Sequence, residues 1–397
     1  MPRLRWPYTR PGAIVLAAIL GVLALIAVIG LIDLRPGGAA GTASPPQLDT
    51  LGAEVVAVDA TGCRSQALPG EAAPECRRVT VRLREGPERG QTAAFDLIDV
   101  AVDVGDGVRV TRAEIPDGAV IGGAEIDRYG FADFERGTPL AWLAAAFALL
   151  VVATAGWKGL RALVGLGISL LVVIGFIVPA ILDGRPAVAV AFVGALAIMF
   201  GTIPIAHGLG PRSLAAMVGT AAALVLTLTL AAIMTSAAQL TGFASDDATL
   251  LRASGADVSL RGVLIAGVVI AALGVLDDLT VSQASTVMAL RAANPALGTR
   301  ELFRRGMSVG HDHVVSTVNT LVLAYVGAAL PTLLVFGIVD TSFLDAATSE
   351  VVAAEIVATL VGSIGLIAAA PVTTAIAAYL ATQVAPADLG GGHAHVH

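Results

Sequence analysis

The chain has 397 residues, of which 56% are hydrophobic and 14% are charged, and its formal net charge is −7. Soluble globular proteins usually carry about 25% charged residues, so this composition excludes an ordinary soluble protein and favours a polytopic membrane protein. Residues 33–136 hold 18 acidic and 11 basic side chains while the rest holds 13 of each, a distribution that does not favour a nucleic acid as partner.

Residues 1–10 carry three arginines and precede an apolar run at 13–32. The run is about as long as a membrane span requires and longer than the apolar core of a typical signal peptide. We therefore predict that residues 1–32 form a cytoplasmic N-terminus followed by an uncleaved first transmembrane helix.

The next segment changes character twice. Residues 33–50 are rich in Pro, Gly and Ala and are typical of a linker, whereas residues 51–136 contain short alternating or β-branched runs separated by turn signals. The predicted strands are 53–59, 77–83, 92–98 and 107–113. Four or five strands in about 85 residues predict a small extracytoplasmic β-barrel domain, similar to the OB-fold, inserted after the first helix.

The chain has two cysteines, Cys63 and Cys76, and they flank a loop rich in Gly and Pro. An even pair in an extracytoplasmic domain predicts a disulfide, which for a loop of this size stabilises by about 3 kcal/mol. Spacing does not establish that the side chains meet, so two free thiols remain the alternative.

Seven further apolar runs follow Pro139 closely. They lie at 139–156, 162–182, 186–205, 213–240, 261–282, 314–338 and 351–380, so the sequence predicts an all-α membrane part of about eight spans. With a cytoplasmic N-terminus, ten of the thirteen basic residues outside 33–136 fall on the cytoplasmic side. This asymmetry predicts that both termini lie in the cytoplasm and residues 33–136 outside. Lysine occurs once while arginine and alanine are abundant, a bias that suggests a bacterial protein and therefore the inner membrane.

Two adjacent carboxylates, Asp277 and Asp278, follow a run of uncharged residues that begins at Gly262. An ionised carboxylate at membrane depth costs several kcal/mol, and like charges this close do not readily ionise together. A carboxylate of this kind in a water-accessible crevice is able to load and release a proton. The alternative is a pair that lies at the cytoplasmic end of its helix and is simply solvated.

The following span supplies candidate partners for this pair. Ser316, Asn319 and Thr320 share one helix face and Thr317 adjoins them; we include Gln283, further along the first helix, in the same proton-relay set. Ordinary hydrogen bonding between membrane helices is the alternative for this stripe. His311, Asp312 and His313 are placed at the cytoplasmic mouth, with Asp312 suited to an N-cap, and either relay protons or form a solvated helix start.

The C-terminal residues 384–397 form a predicted cytoplasmic tail with three histidines, which either binds a metal weakly or has no role. The sequence contains no Walker, G-x-S-x-G, C-x-x-C or H-E-x-x-H motif, so we expect neither an enzyme nor a bound cofactor. Expected partners are membrane lipids and an unidentified substrate, and a homo-oligomer such as a dimer is compatible with the sequence.

The segment "GVLDDLTVSQASTVMALRAANP", followed by "GHDHVVSTVNTLVLAYVGAALP", resembles the YibE/F-like family of bacterial membrane proteins, over roughly 140–383. This resemblance implies a helical membrane domain over 137–383 with about seven helices. A more distant resemblance links Asp277 and Asp278 to the paired aspartates of resistance-nodulation-division permeases, which take up protons. The function we expect is a proton-coupled transporter or energy-transducing envelope component. The alternatives are a membrane scaffold that binds an envelope partner and a divalent-metal transporter.

Overall fold

A computed structural model describes residues 11–37, 50–60, 76–113, 120–121, 124–125, 127–243, 246–253, 257–339 and 341–384. The chain divides into two compact units: Ala43–Leu150, and Met1–Thr42 together with Val151–His397. Each unit has its own core. Cys63, most of the predicted linker and the histidine tail lie outside the described residues.

The smaller unit is built on a curled antiparallel sheet of five strands in the order β3-β2-β1-β4-β7. Its strands are β1 (Thr50–Asp59), β2 (Cys76–Leu83), β3 (Thr92–Ile98), β4 (Gly107–Arg112) and β7 (Tyr129–Phe134), and a separate pair is formed by β5 (Val120–Ile121) and β6 (Ala124–Glu125). Alternate side chains such as Val55, Val81, Phe95 and Val110 are buried on the concave side, as the period of a strand requires. The four predicted strands are confirmed.

Side chains, rather than a strand ladder, bridge the two edges of this half-barrel. Arg78 on β2 donates to Asp96 on β3 at 2.6 Å and to Asp127, just before β7, at 2.8 Å. In the described part of the chain β3 and β7 are the edges of the sheet, so the predicted closed barrel is replaced by a curled sheet. Cys76, the first residue of β2, is disulfide-bonded, and because Cys63 lies outside the described residues the predicted pairing stays a prediction.

Several helices extend beyond their apolar runs. Their bounds are α1 (Pro11–Asp33), α2 (Gly137–Val172), a π-helical turn (Val173–Ile177), α3 (Val178–Leu182), α4 (Ala187–His207), α5 (Pro211–Ala237), α6 (Asp246–Ala253), α7 (Leu260–Ala293), α8 (Thr299–Ile338), α9 (Phe343–Thr348) and α10 (Glu350–Gln383). Among the described residues, seven helical segments are long and apolar enough to cross a membrane. The predicted eight spans count 139–156 and 162–182 separately, whereas the structure joins residues 137–182 in one helical segment.

That long segment is not straight. Gly156 has φ 57° and ψ −135°, which breaks the helical backbone. A methyl group on Gly159 would collide with the carbonyl oxygen of Val151, although residues eight apart in a straight helix are separated by about 12 Å along the axis. The segment therefore bends sharply at Gly156, and eight spans stay a prediction.

In the larger unit, α7 packs against α4, α5, α8 and α10. It runs parallel to α4, because Gly262 lies against Ala187 and Asp277 is hydrogen-bonded to Thr202, two pairs with the same separation of 75 residues. It runs antiparallel to α8, where a methyl group on Gly310 would collide with Gln283. These contacts place the polar residues of α7 against four different neighbours.

The end of α7 agrees with the prediction, whereas the start of α8 does not. α7 continues well past the aspartate pair, as expected, and ends at Ala293 near Arg291. α8 begins at Thr299, however, and its N-cap is Gly298. Asp312 therefore lies inside a helix, so the prediction that it is an N-cap is wrong; the amphipathic stretch before residue 314 continues the helix beyond the apolar run.

Candidate functional site

Asp277 is the eighteenth of the 34 residues of α7, so it lies in the middle of a helix that packs against four others. The Thr202 hydroxyl donates to its Oδ2 at 3.4 Å, a long and therefore weak hydrogen bond. Its Oδ1 is buried and has no hydrogen-bond partner. Thr202 is five residues from the end of α4 at His207, so the carboxylate is nearer to the end of that shorter helix than to its start.

Polar side chains hold the start of α7 and the turn that follows it. The Ser259 hydroxyl accepts from the Gly262 amide at 3.2 Å at the start. At the other end, Arg291 donates to the carbonyl oxygens of Pro295 and Leu297 and holds the turn into α8. The serine thus satisfies an amide of the first helical turn that has no partner within the helix.

Asp278 lies on a different face of α7 from Asp277, since adjacent residues on a helix are about 100° apart. Its side chain is exposed, like Gly267, Ala271 and Gly274 on the same face. Methyl groups on Gly267 or Gly274 would meet no atom within 4 Å, so the face is open over two turns. The pair thus has one carboxylate inside the bundle and one on an open surface.

Two more polar side chains continue from Asp277 at intervals of three residues. The Thr280 and Thr220 hydroxyls, on α7 and α5, lie 2.7 Å apart, and the Thr374 hydroxyl on α10 donates to Gln283 Oε1 at 3.1 Å. Three residues turn a helix by about 300°, so successive members face different neighbours. Asp277, Thr280 and Gln283 therefore make polar contacts with α4, α5 and α10 in turn, and Gln283 packs against α8 as well.

Hydroxyls without partners lie between α5 and α10. A methyl group on Gly219 would collide with Thr373, and one on Gly365 would collide with Thr227. The Oγ1 atoms of Thr227 and Thr373 are buried and make no hydrogen bond. Each glycine on one helix thus accommodates a threonine of the other, and this interface carries polar groups that are desolvated without compensation.

The family model that matches this chain is that of the YibE/F-like proteins, and it matches residues 143–383. That range is more than half of the chain. The chain belongs to the YibE/F-like family. A search of curated proteins found no match, and a search of solved structures found none.

The family match includes every polar residue of the bundle described above, and it excludes α1 and the sheet. It confirms the resemblance predicted from the two sequence segments around Asp277 and Gly310. The comparisons do not support the distant resemblance to resistance-nodulation-division permeases.

The predicted polar stripe of α8 is not brought to Asp277. Ser316, Asn319 and Thr320 are exposed, whereas the α8 residues that pack towards α7 include Gly310 and Val314, on the opposite side of the helix. The Thr320 hydroxyl donates to the Ser316 carbonyl, and Thr317 donates to His313. The structure supplies Asp277 with Thr202 as its partner instead, a residue 75 positions earlier in the chain that no local sequence pattern connects with Asp277.

The predicted mouth residues lie on two sides of α8. His311 and Asp312 are exposed and His313 is half-buried, and His311 lines a groove with Arg300, Arg304 and other residues of 298–308. Two residues apart on a helix, the histidines point in directions about 160° apart and do not share a ligand. Among the described residues, no group of three or more His, Cys, Asp or Glu side chains is placed to hold a metal ion.

Proposed function

We propose that this YibE/F-like protein is a proton-coupled transporter or energy-transducing component of the bacterial inner membrane, with Asp277 as the group that binds the proton. One observation carries this proposal: a carboxylate in the middle of α7 has one buried oxygen without a partner and one long hydrogen bond. A carboxylate with a purely structural role would be paired with a cation or bonded by several donors.

The surroundings of Asp277 stabilise neither of its protonation states strongly. When ionised, it receives a single weak hydrogen bond and no ion pair from the described residues. When Oδ1 carries a proton, none of the described residues accepts a hydrogen bond from it. A proton carrier needs such a balance, because a group held firmly in one state does not change charge during a cycle.

Asp278 supports access to this site. It is exposed on the open face of α7. His207, at the end of α4, lies within electrostatic range of Asp278 and also of Arg161 and Arg212. We propose that Asp278 exchanges protons with the aqueous side and passes them to Asp277. In this proposal Thr280 and Gln283 connect α7 to α5 and α10, so that a change at Asp277 alters the packing of these helices.

The orientation is part of the same proposal. The start of α1 lies beside the end of α10, because a methyl group on Gly12 would collide with Tyr379. Basic residues are concentrated at this end of the bundle. Lys158, Arg161 and Arg212 lie within electrostatic range of His207 at the end of α4, and Arg291 is in the last turn of α7. Arg300, Arg304 and Arg305 follow at the start of α8. An excess of basic residues marks the cytoplasmic side. We therefore place this end in the cytoplasm and residues 33–136, with an OB-like half-barrel, outside.

The proposal is tested in a strain that lacks the protein. Asp→Asn keeps the shape of the side chain and removes the titration, so Asp277→Asn and Asp278→Asn are expected to insert and fold but fail to complement. Thr202→Ser retains the hydroxyl donor and Thr202→Val removes it, so this matched pair separates loss of the hydrogen bond from a change in packing. Full complementation by a well-folded Asp277→Asn/Asp278→Asn double variant would contradict the proposal.

A further inference from the structure

A groove lies between α8 and α10, within the parts of both helices that are apolar enough to cross a membrane. It has a volume of about 230 Å³ and is lined by residues within 322–333 of α8 and 352–360 of α10. Aliphatic side chains such as Val326 and Ile356 form most of its wall. Among the described residues that line the groove, Glu355 is the one that carries a charge.

The Glu355 carboxylate is half-buried in this groove and has no partner in the described part of the chain. It forms neither a salt bridge nor a hydrogen bond there, and burial alone acts on its charge. The Thr359 hydroxyl, which also lines the groove, donates its proton to the Glu355 backbone carbonyl at 2.7 Å and so does not donate to the carboxylate. A carboxylate that loses water without gaining a donor or a cation is destabilised.

A second carboxylate on the same helix shows the contrast. Glu350, the first residue of α10, accepts hydrogen bonds from the backbone amides of Thr241 and Gly242 at 2.5 and 2.6 Å. The chain therefore supplies donors to the carboxylate at the helix start, five residues before Glu355, and supplies none of the described groups to Glu355. The partner that Glu355 lacks has to enter the groove from outside the chain.

The other lining residues indicate the chemistry of that partner. Tyr325 lines the groove from α8 and lies within electrostatic range of Glu355, and the face of an aromatic ring attracts an organic cation. A metal ion is a poor occupant, because it requires several oxygen ligands and no group of three acidic or histidine side chains is available among the described residues. An ammonium group needs fewer partners, and its apolar part suits the aliphatic wall.

We propose that this groove binds a small amphiphilic ammonium compound from the membrane, with its positive charge on Glu355 and its apolar part between α8 and α10. An aminophospholipid fits less well, because its phosphate needs a cation and no basic residue lines the groove in the described part of the chain. No lining residue described here belongs to α7, so the site is separate from Asp277 and does not depend on the proposed function.

The proposal is tested by equilibrium binding of radiolabelled octylamine to the full chain in phosphatidylcholine nanodiscs, with empty nanodiscs as the blank for partition into lipid. Octylamine carries an ammonium group at neutral pH, and octanol is its uncharged counterpart. We expect saturable binding of octylamine that octanol displaces only at much higher concentration. Glu355→Gln is expected to weaken binding roughly ten- to a hundredfold, the range of a hydrogen bond between charged groups.

Three further variants separate charge from shape. Glu355→Asp retains the carboxylate and is expected to retain the preference for octylamine over octanol. Ala329→Leu fills the groove without changing its charge and is expected to weaken binding. Asp312→Asn is the matched control, because it removes an exposed carboxylate of α8 that lies outside the groove, and its affinity should equal that of wild type.

Two results would overturn the proposal: unchanged affinity in Glu355→Gln, or an equal loss of affinity in Asp312→Asn. Displacement of octylamine by phosphatidylethanolamine in the nanodisc would assign the groove to a lipid headgroup, and would also show that the proposed occupant is wrong.

A second measurement uses wild-type protein and does not require a variant to fold. A photoreactive analogue of octylamine is expected to label the peptides of α8 and α10 that line the groove, and excess octylamine is expected to suppress this labelling. Labelling confined to other helices, or labelling that octanol suppresses as well as octylamine does, would contradict the proposed site.

Discussion

Thr202 and Asp277 occupy equivalent levels of two parallel helices. Their separation of 75 residues is also that of Ala187 and Gly262 at the other end of the same interface. The hydrogen bond between them is therefore a consequence of how α4 and α7 align over their whole length. A carboxylate positioned by such an alignment stays in the bundle core without an ion pair, which is the arrangement on which the proposed proton site depends.

The first prediction concerns the close contact between α5 and α10. Gly365→Ala is expected to lower the free energy of unfolding by about 1–3 kcal/mol, because the added methyl collides with Thr227 and the helices must move apart. Gly267→Ala is the matched control, since its methyl meets open space and alanine favours a helix over glycine. Equal unfolding midpoints of the two variants in detergent would show that the interface is looser than described.

A second prediction concerns Arg78, which joins the two edges of the half-barrel. Arg78→Met removes the cation that Asp96 and Asp127 share and is expected to destabilise the sheet by about 1–3 kcal/mol, less than a fully buried pair because Arg78 is 17% exposed. Arg82→Met, an exposed position on the same strand, is expected to change stability by less than about 0.5 kcal/mol.

The measurement for both arginine variants is amide hydrogen exchange in the full chain. Exchange in β3 and β7 should accelerate in Arg78→Met and not in Arg82→Met, because these edges depend on the bridge. If neither variant changes exchange there, the curl of the sheet does not depend on Arg78.

A third prediction is the acid sensitivity of the same unit. The Tyr129 hydroxyl donates to Glu88 at 2.6 Å and, with Arg112 and Arg128 nearby, holds the pKa of that carboxyl below its ordinary value. Since the folded-state pKa is the lower one, ionised Glu88 favours the folded state. This contribution is complete above the unfolded pKa of about 4.3 and is lost as the pH falls through the folded value.

Glu88→Gln should therefore reduce the change in exchange of β4 and β7 between neutral pH and about pH 3, because the substituted side chain does not titrate. Glu54→Gln, on the same unit, serves as the control carboxylate. Identical acid responses of Glu88→Gln and wild type would mean that another group governs this pH range.

Topology gives a fourth prediction. Cysteines introduced at positions 120 and 295 are expected to react with membrane-impermeant reagents from opposite sides, the first from outside and the second from the cytoplasm. The physical basis is the gathering of arginines at one end of the bundle. Reaction of both positions from one side contradicts the orientation.

The sequence predicts those elements of the fold that have a regular pattern of apolar residues. Strands β1–β4 follow from alternating residues, and the membrane helices follow from runs of apolar ones. It does not predict β7, whose residues "YGFADF" alternate poorly, or the partner of Asp277. Thr202 is 75 residues from Asp277, and only the parallel packing of α4 and α7 brings them together. A single sequence does not specify which helices are neighbours.

The helix ends show a second limit. An apolar run marks the part of α8 that suits the membrane, but the helix extends fifteen residues earlier than 314 to Thr299, where polar and basic residues continue it. Backbone hydrogen bonds do not require apolar side chains, so the helix and the span have different bounds. Asp312 precedes the apolar run and is therefore predicted to be an N-cap, but it lies within the helix because α8 begins at Thr299.

The most direct test of the central claim is pH-difference infrared spectroscopy of the full chain in lipid vesicles, read at the C=O stretch of protonated carboxyl groups. If Asp277 binds and releases a proton, wild-type protein shows a carboxyl band that disappears on raising the pH. The account predicts that this band is absent from a well-folded Asp277→Asn variant and present in Glu355→Gln, which removes another half-buried membrane carboxylate. A pH-difference spectrum of Asp277→Asn identical to that of wild type would contradict the account.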